Sequence, residues 1–270
     1  MKHFSLLPVQ EAHNIRTIFT DIDDTLTVEG KLTSESYAAI WSAYDHGIDV
    51  IPVTGRPAGW CDMIVRTWPV RGVVGENGAF YFYTSDGRVK ERFLDTPEKR
   101  QENRNRLQRI RDMILKTVRG TALSKDQDYR QTDLAIDFRE DVEDLGFHTA
   151  KTIRDIFEQN GAQAKISSIH VNGWFGDYNK LKTCTLFTRE ILNQNLNDPE
   201  VLTQSLFVGD SPNDEPMFEF FPLSVSIGDL SQYSGLIQHY PAYWIDNRDQ
   251  KGFRNIVHAM IPSPGSFTDC

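Results

Sequence analysis

Apolar residues fall in short runs separated by amphipathic stretches. The run IRTIFT at 15–20 reads as a strand, and residues 33–46 read as a helix because Tyr37, Ile40, Trp41 and Tyr44 recur at helical spacing before Gly47 ends it. IDVIPV at 48–53 reads as a second buried strand, Pro57 suits the first turn of the helix that follows, and VRGVVG at 70–75 supplies a third strand. This βαβαβ order predicts a parallel sheet covered by helices.

The pattern then changes. In ENGAFYFYTSDGRVKERF, residues 76–93, two strand-like runs flank a Ser85-Asp86-Gly87 turn, an antiparallel hairpin signal. Residues 97–119 predict a long helix with Leu107, Ile110, Ile114 and Val118 on one face. TDLAIDF at 132–138 reads as a strand, 141–160 as a helix, and AQAKISSIHVN at 162–172 as one further strand. From Lys180 the alternation returns, with a helix to about Asn195, the strand SLFVG, a helix after Pro212, the strands SVSIG and AYWI, and a final helix at 251–261. The expected fold is α/β: a doubly wound parallel-sheet core interrupted by a smaller α+β cap. Residues 1–83, with a leader at 1–14, and 177–270 make the two parts of the core, and 84–176 make the cap.

Ligands of such sheets bind beyond the carboxyl ends of the strands. Four polar stretches stand there: DIDDT at 21–25, TGR at 54–56, the lysine of DYNKL at 180, and GDSPND at 209–214. Each is common by itself. Aspartates and asparagines cluster in ordinary turns, a single lysine is usually solvated, and Ser, Asn and Asp cap helices. Their conjunction, in this order and each after a strand, is what carries chemistry.

Composition narrows the chemistry. At 270 residues and 39% hydrophobic content, the chain can build a core domain and a smaller companion. A formal net charge of −9 argues against a general binder of nucleic acid or anionic membrane, so a phosphate-bearing substrate needs help from a cation. The basic residues of the helix at 97–119 are interleaved with Glu98, Glu102 and Asp112 and read as a solvated face. Cys61, Cys184 and Cys270 are scattered and odd in number, which suits a reducing cytoplasm and suggests neither a disulfide framework nor a zinc site. The leader has only a brief apolar patch, interrupted by Pro8, and no later stretch is apolar for long enough to span a bilayer.

On these motifs, together with GENGA at 75–79 and GDSPNDEPMF at 209–218, the chain resembles the haloacid dehalogenase superfamily. The branch is subfamily IIB, phosphohydrolases whose cap is inserted after the third core strand. The resemblance implies that Asp21 attacks phosphorus, that Asp23 is the general acid and base, and that Thr54 and Lys180 position and neutralise the phosphoryl group. It implies magnesium held by Asp21, the Asp23 backbone carbonyl and Asp210, with Asp214 supporting that shell. Arg56, Asn77 and Asn213 then look like groups that touch the substrate or link core to cap, and His170 and Asn172 like cap residues facing it, whereas Trp174 reads as packing. Leu181 follows the lysine where relatives carry glycine, and Asp24 likewise replaces a glycine. The implied substrate is a small phosphorylated metabolite, a sugar phosphate by similarity to trehalose-phosphate, sucrose-phosphate and mannosyl-3-phosphoglycerate phosphatases, the last being closest in its GDSPND and PMF segments. A phosphomutase of the phosphomannomutase type and a non-catalytic phosphometabolite-binding protein are the alternatives. Oligomeric state stays open.

Overall fold

The computed structural model describes residues 1–247 and 250–262. In chain order, β1 (Lys2–His3) and α1 (Val9–Asn14) lead into β2 (Thr17–Thr20). A small hairpin of β3 (Thr27–Val28) and β4 (Lys31–Leu32) precedes α2 (Ser34–Asp45), β5 (Asp49–Pro52), α3 (Ala58–Thr67) and β6 (Gly72–Gly75). Next come β7 (Phe80–Ser85), β8 (Arg88–Phe93), α4 (Pro97–Thr117), β9 (Ala122–Leu123), β10 (Leu134–Asp137), α5 (Gly146–Gln159), β11 (Gln163–Ile166) and β12 (His170–Trp174). The chain then forms α6 (Lys180–Ile191), α7 (Pro199–Thr203), β13 (Ser205–Gly209), α8 (Glu215–Phe220), β14 (Ser224–Ile227), β15 (Tyr243–Ile245) and α9 (Gly252–Met260).

The large sheet runs β1-β15-β14-β13-β2-β5 with every pairing parallel. Between β13 and β5 lies β2, buried along its whole length, with successive side chains serving opposite faces. Ile18 packs with Ile40, Ala43, Phe253 and Val257 of α2 and α9, whereas Phe19 packs with Cys184, Phe187, Met217 and Phe218 of α6 and α8. Helices therefore cover both faces, the doubly wound arrangement expected. From β2 the sheet proceeds to β5 on one side and to β13 on the other. The carboxyl ends of these three strands accordingly bound a topological switch point.

Three expectations need correction. The hairpin β7–β8 pairs antiparallel with β6, which a Val53–Val74 bridge joins to the main sheet, and its Phe80, Phe82 and Phe93 pack in the core cluster. The expected boundary at 84 thus cuts a hairpin belonging to the core layer, and we propose that the second unit starts with α4. The segment 162–172 is two antiparallel strands, β11 and β12, turning at Ser167–Ile169. The helix expected from 141 begins at Gly146, because Asp137 Oδ1 accepts the N–H groups of Arg139 and Glu140 (2.9 and 2.8 Å) and its Oδ2 that of Asp141 (2.8 Å), closing a turn instead. In α2 the inward face is Ser36, Ala39, Ile40 and Ala43, so Trp41 and Tyr44 are exposed.

The smaller unit packs α4 and α5 on the antiparallel sheet β11-β12-β10-β9 through its own apolar cluster, which includes Leu107, Ile110, Ile114, Ile136, Ile153 and Phe157. Several arginines of α4 serve packing: Arg100 lies over the Phe93 ring and Arg106 over Phe175, 3.8 and 3.5 Å from the ring centroids. Trp174 is buried, stacks on Tyr178 and donates its indole N–H to the Tyr178 carbonyl at 3.3 Å. Cys61 and Cys184 are buried free thiols, and Cys270 lies outside the described residues. No helix among the described residues is long and apolar enough to cross a membrane.

The leader is docked on the core: β1 extends the sheet beside β15, and Phe4 is buried against Tyr243. Phe4→Ala should therefore cost about 3–5 kcal/mol of unfolding free energy, the usual penalty for emptying a buried phenylalanine site. Urea unfolding of the two proteins measures this, and an unchanged midpoint would show the leader to be dispensable.

Candidate active site

At the end of β2 the backbone turns around the Ile22 carbonyl, which accepts the N–H groups of Leu26 (2.8 Å) and Thr27 (3.0 Å). Asp24 sits in the left-handed region at φ 55°, a conformation that favours glycine. That is the physical cost of the aspartate at this position. The turn lets Asp21 and Asp23 face a common cavity although strand alternation alone would separate them. Asp21 is buried and anchored by its own N–H to the Val208 carbonyl of β13 at 2.9 Å.

Asp210 and Asp214 follow β13. Oxygens of Asp21, Asp210 and Asp214 lie within 4.8 Å of one another, and all three residues are buried. Lys180, at the start of α6 and also buried, is the ammonium among them, 3.3 Å from Asp21 Oδ2 and donating to Asp214 Oδ1 at 2.7 Å. Asp214 Oδ2 accepts the N–H groups of Asp210 (3.1 Å) and Ser211 (3.3 Å), so both its oxygens are occupied in fixing Lys180 and the 210–214 loop. A Cβ at Gly209 would overlap the Asp214 carboxylate, which is why glycine opens GDSPND. Thr25 donates its hydroxyl to Asp210 Oδ1 at 3.2 Å, tying the two aspartate loops together.

The lysine is placed with similar care. Gly78, at φ 105°, lies so close to the Asn179 carbonyl that any side chain would collide with it, and Thr183 Oγ1 donates to the Gly78 carbonyl at 2.5 Å. The turn after β6 thus fixes the start of α6 and with it Lys180. Lys182, two residues further on, is exposed and pairs with Asp177.

Thr54 is fully buried after β5; its Oγ1 accepts the Arg56 N–H at 3.0 Å. Arg56 grips Asp23 through Nε (3.0 Å to each oxygen) and a terminal nitrogen (2.8 Å), and that same nitrogen reaches Glu140 Oε1 at 3.0 Å. Glu140 Oε2 lies 2.9 Å from His170 Nε2, an ion-pair distance without hydrogen-bond alignment. Asn172 donates to Asp133 Oδ2 at 2.8 Å. Asn213 accepts the Ser211 hydroxyl at 2.7 Å and lines the cavity with His170 and Asn172, while Asn77 lies beneath Gly55, its buried amide nitrogen without a partner. The space enclosed is about 10 Å³, room for about one water.

Residue-by-residue reading of the sequence missed a further set. The Glu76 carboxylate is fully buried and accepts N–H groups from Ala58 in the core and from Gln131, Thr132 and Asp133 in the smaller unit, at 2.6–3.2 Å. Arg130 is bonded to Asp126 and Asp133 and donates to the Gly55 carbonyl at 2.8 Å. Burial raises the Asp24 carboxyl above its ordinary value, and Ser168 at the β11–β12 turn opposes that rise. Glu76 stood in plain view inside GENGA. Glu140 follows the end of β10, where the strand-end rule that found the core residues would also have pointed.

Burial dominates the electrostatics. It pushes Asp21 up to about 8, with Lys180 opposing and Asp214 and Asp23 reinforcing the rise. Asp210 is raised well above the carboxylate range by burial and then by Asp21 and Asp214. Burial also raises Asp133 to about 6 despite Arg130. Glu140 goes the other way: burial opposes its ionisation, but His170 and Arg56 prevail and pull it to about 2.

Against known proteins, the sequence profile of the haloacid dehalogenase-like hydrolases matches residues 18–197. A search of curated proteins finds no significant match. Among solved structures, the fold is similar to the C-terminal domain of trehalose-6-phosphate phosphatase from C. albicans (13% identity, 93% of this chain and 94% of that one covered, TM-score 0.65). It is also similar to a phosphatase of the same superfamily from Bacteroides thetaiotaomicron (19%, 95% and 98%, 0.61) and to a sugar phosphatase of subclass IIB (14%, 90% and 98%, 0.61).

A pH dependence follows from the raised carboxyls. In the absence of a bound cation, Asp21 keeps its proton in the folded chain over a range, from 3.8 to about 8, in which the unfolded chain has lost it. Stability from this group is therefore full below the lower value and lost as pH rises through the upper one. In chelator, melting temperature should fall between pH 5 and pH 8, and Asp21→Asn should flatten the slope. A wild-type melting temperature that rises across that interval would contradict the assignment.

Proposed function

The chain belongs to the haloacid dehalogenase-like hydrolases, and on that premise we propose that it is a magnesium-dependent phosphomonoesterase acting on a small sugar phosphate. The observation that carries this reading is Lys180 set between Asp21 and Asp214, beside Asp210, at the sheet's switch point. Polar groups over the cavity, among them Ser167, Ser168, His170 and Asn172, suit a hydroxyl-rich leaving group, as do the sugar phosphatases whose fold it shares.

The donor set fits a hard divalent cation. Three clustered carboxyls share one ammonium, so loss of the protons that burial favours on Asp21 and Asp210 would leave anionic oxygen ligands of the kind magnesium prefers. Asp21, Asp210 and the Asp23 carbonyl would hold it, with Asp214 orienting Lys180 and the 210–214 loop. When bound, the cation offsets repulsion between Asp21 and the phosphate dianion.

The chain's own residues then supply the steps. Asp21 attacks phosphorus and forms an aspartyl-phosphate as the ester oxygen departs with a proton from Asp23. Asp23 next takes a proton from water, whose oxygen bonds to phosphorus as the bond from phosphorus to the Asp21 oxygen breaks, releasing inorganic phosphate and regenerating Asp21. Arg56 fixes the orientation of the Asp23 carboxyl throughout. Thr54 donates its hydroxyl to a phosphoryl oxygen, and Lys180 neutralises charge there, the positioning and electrostatic work on which phosphoryl transfer rests. Asn213 contacts the phosphate beside them, whereas Asn77 supports the Gly55 turn. A cavity of about 10 Å³ excludes a sugar phosphate, so the smaller unit opens to admit it and closes for chemistry. Unpaired thiols at Cys61 and Cys184 support a cytoplasmic location.

The test is phosphate release from p-nitrophenyl phosphate and a panel of sugar phosphates, with magnesium or chelator. Activity should require the metal, and Asp21→Asn should lower kcat by at least about a thousandfold while leaving the circular dichroism spectrum intact. Silence across the panel from folded, magnesium-loaded protein would overturn the reading. Asp23→Asn should cost about a hundredfold or more with sugar phosphates and clearly less with p-nitrophenyl phosphate, whose leaving group needs little protonation. Equal losses would remove Asp23 from the acid role.

A further inference from the structure

The two sides of the cavity differ in charge. Lys180 stands on the phosphoryl side. On the other side, where a leaving group has to lie, the guanidiniums of Arg56 and Arg130 supply the positive charge, and carboxylates already match both. Arg56 spans Asp23 and Glu140 and lies 3.5 Å from Asp126; Arg130 spans Asp126 and Asp133. Leaving His170 aside, two guanidiniums meet four carboxylates, those of Asp23, Asp126, Asp133 and Glu140. Among the described residues of this wall, no guanidinium is left over for a second anion.

Glu140 holds the outermost place in that network. Its side chain is 30% exposed, against 6% for Arg56 and 3% for His170, the two groups it bridges. It is presented there by the Asp137-capped turn after β10, not by the body of a helix. Arg56 and His170 line the cavity itself, and Glu140 stands behind them as the network's most exposed carboxylate, where a leaving group extending past these two side chains would meet it.

We infer that Glu140 is a specificity-determining residue, which with its partners admits uncharged, hydroxyl-bearing leaving groups and rejects those carrying a carboxylate or a second phosphate. The inference rests on the phosphatase reading and narrows its substrate class. A hydroxyl can donate to Glu140 and accept from Asn172 or Ser168 without disturbing any ion pair. A second anion gains no cation here and is repelled by Glu140 in a setting where water screens poorly. Discrimination of this kind comes from penalising the wrong ligand as well as from holding the right one. The leaving groups of trehalose and sucrose phosphates meet the requirement. That of mannosyl-3-phosphoglycerate, which carries the glycerate carboxylate, does not, although the GDSPND and PMF segments are closest to that group.

Two substrate pairs that differ by a carboxylate test this on the full chain with magnesium: glucose 6-phosphate against 6-phosphogluconate, and glycerol 3-phosphate against 3-phosphoglycerate. p-Nitrophenyl phosphate serves as the reference. In at least one pair the neutral member should exceed the acid by about tenfold or more in kcat/KM. Glu140→Gln should narrow that gap at least about fivefold, chiefly by lowering KM for the acid. Glu140→Asp, which keeps the charge, should preserve the gap. Equal use of both members in each pair by the wild type, or both pairs silent while p-nitrophenyl phosphate turns over, would overturn the inference alone. So would a Glu140→Gln loss of the same size on every substrate, the signature of a structural role. Failure of the wild type on p-nitrophenyl phosphate itself would defeat the phosphatase reading and this inference with it.

Discussion

Burying three carboxylates within 4.8 Å of one another is strongly unfavourable unless positive charge is supplied, and one ammonium, from Lys180, is what the fold provides. Much of the surrounding architecture follows from that constraint. The carboxylates arrive at the ends of neighbouring parallel strands, β2 and β13, so their separation is set by the sheet and cannot relax. Lys180 arrives from the helix whose start is clamped by Gly78. Asp214 spends both its oxygens on holding Lys180 and the loop that carries Asp210. Burial favours protons on Asp21 and Asp210, and a divalent cation is what would replace those protons and offset the charge of a phosphoryl group.

A second constraint joins the smaller unit to this centre. Glu76 accepts N–H groups from both sides of the junction, and Arg130 reaches back to the Gly55 carbonyl within TGR. The turn that positions Thr54 and Arg56 is thus also the seat of the inserted unit. The smaller unit is also linked through Glu140 to Arg56, which holds Asp23. On the proposed reading, positioning of the acid and choice of substrate share one ion-pair network.

The core was legible in the sequence because its signals are local. A run such as TIFT is buried on both faces and alternates with amphipathic helices, and reactive groups must follow such strands in an open α/β sheet. Asp21, Asp23, Thr54, Lys180 and Asp210 were found by that logic, and the structure brings them to one cavity or its immediate walls. The inserted unit was less legible because its signals are not local. Ser167–Ile169 lies between two short strands with no glycine or proline to mark the turn, so the hairpin reads as one strand. The Asp137 turn looks like the start of a helix until its carboxylate is seen to cap three backbone N–H groups. Trp41 and Tyr44 have helical spacing yet face outward, since small Ala39 and Ala43 let α2 approach the sheet closely. Glu76, Arg130 and Glu140 act across contacts between distant parts of the chain, which no window of sequence contains.

The central claim is that the Asp21 carboxylate becomes covalently bonded to phosphorus. Acid quenching of the magnesium-loaded enzyme during turnover of a radiolabelled phosphomonoester, followed by trypsin digestion, tests it directly. The account predicts hydroxylamine-sensitive label on the peptide Thr17–Lys31, which contains Asp21. Label confined to any other peptide, or stoichiometric phosphate release with no label on protein at any quench time, would contradict it.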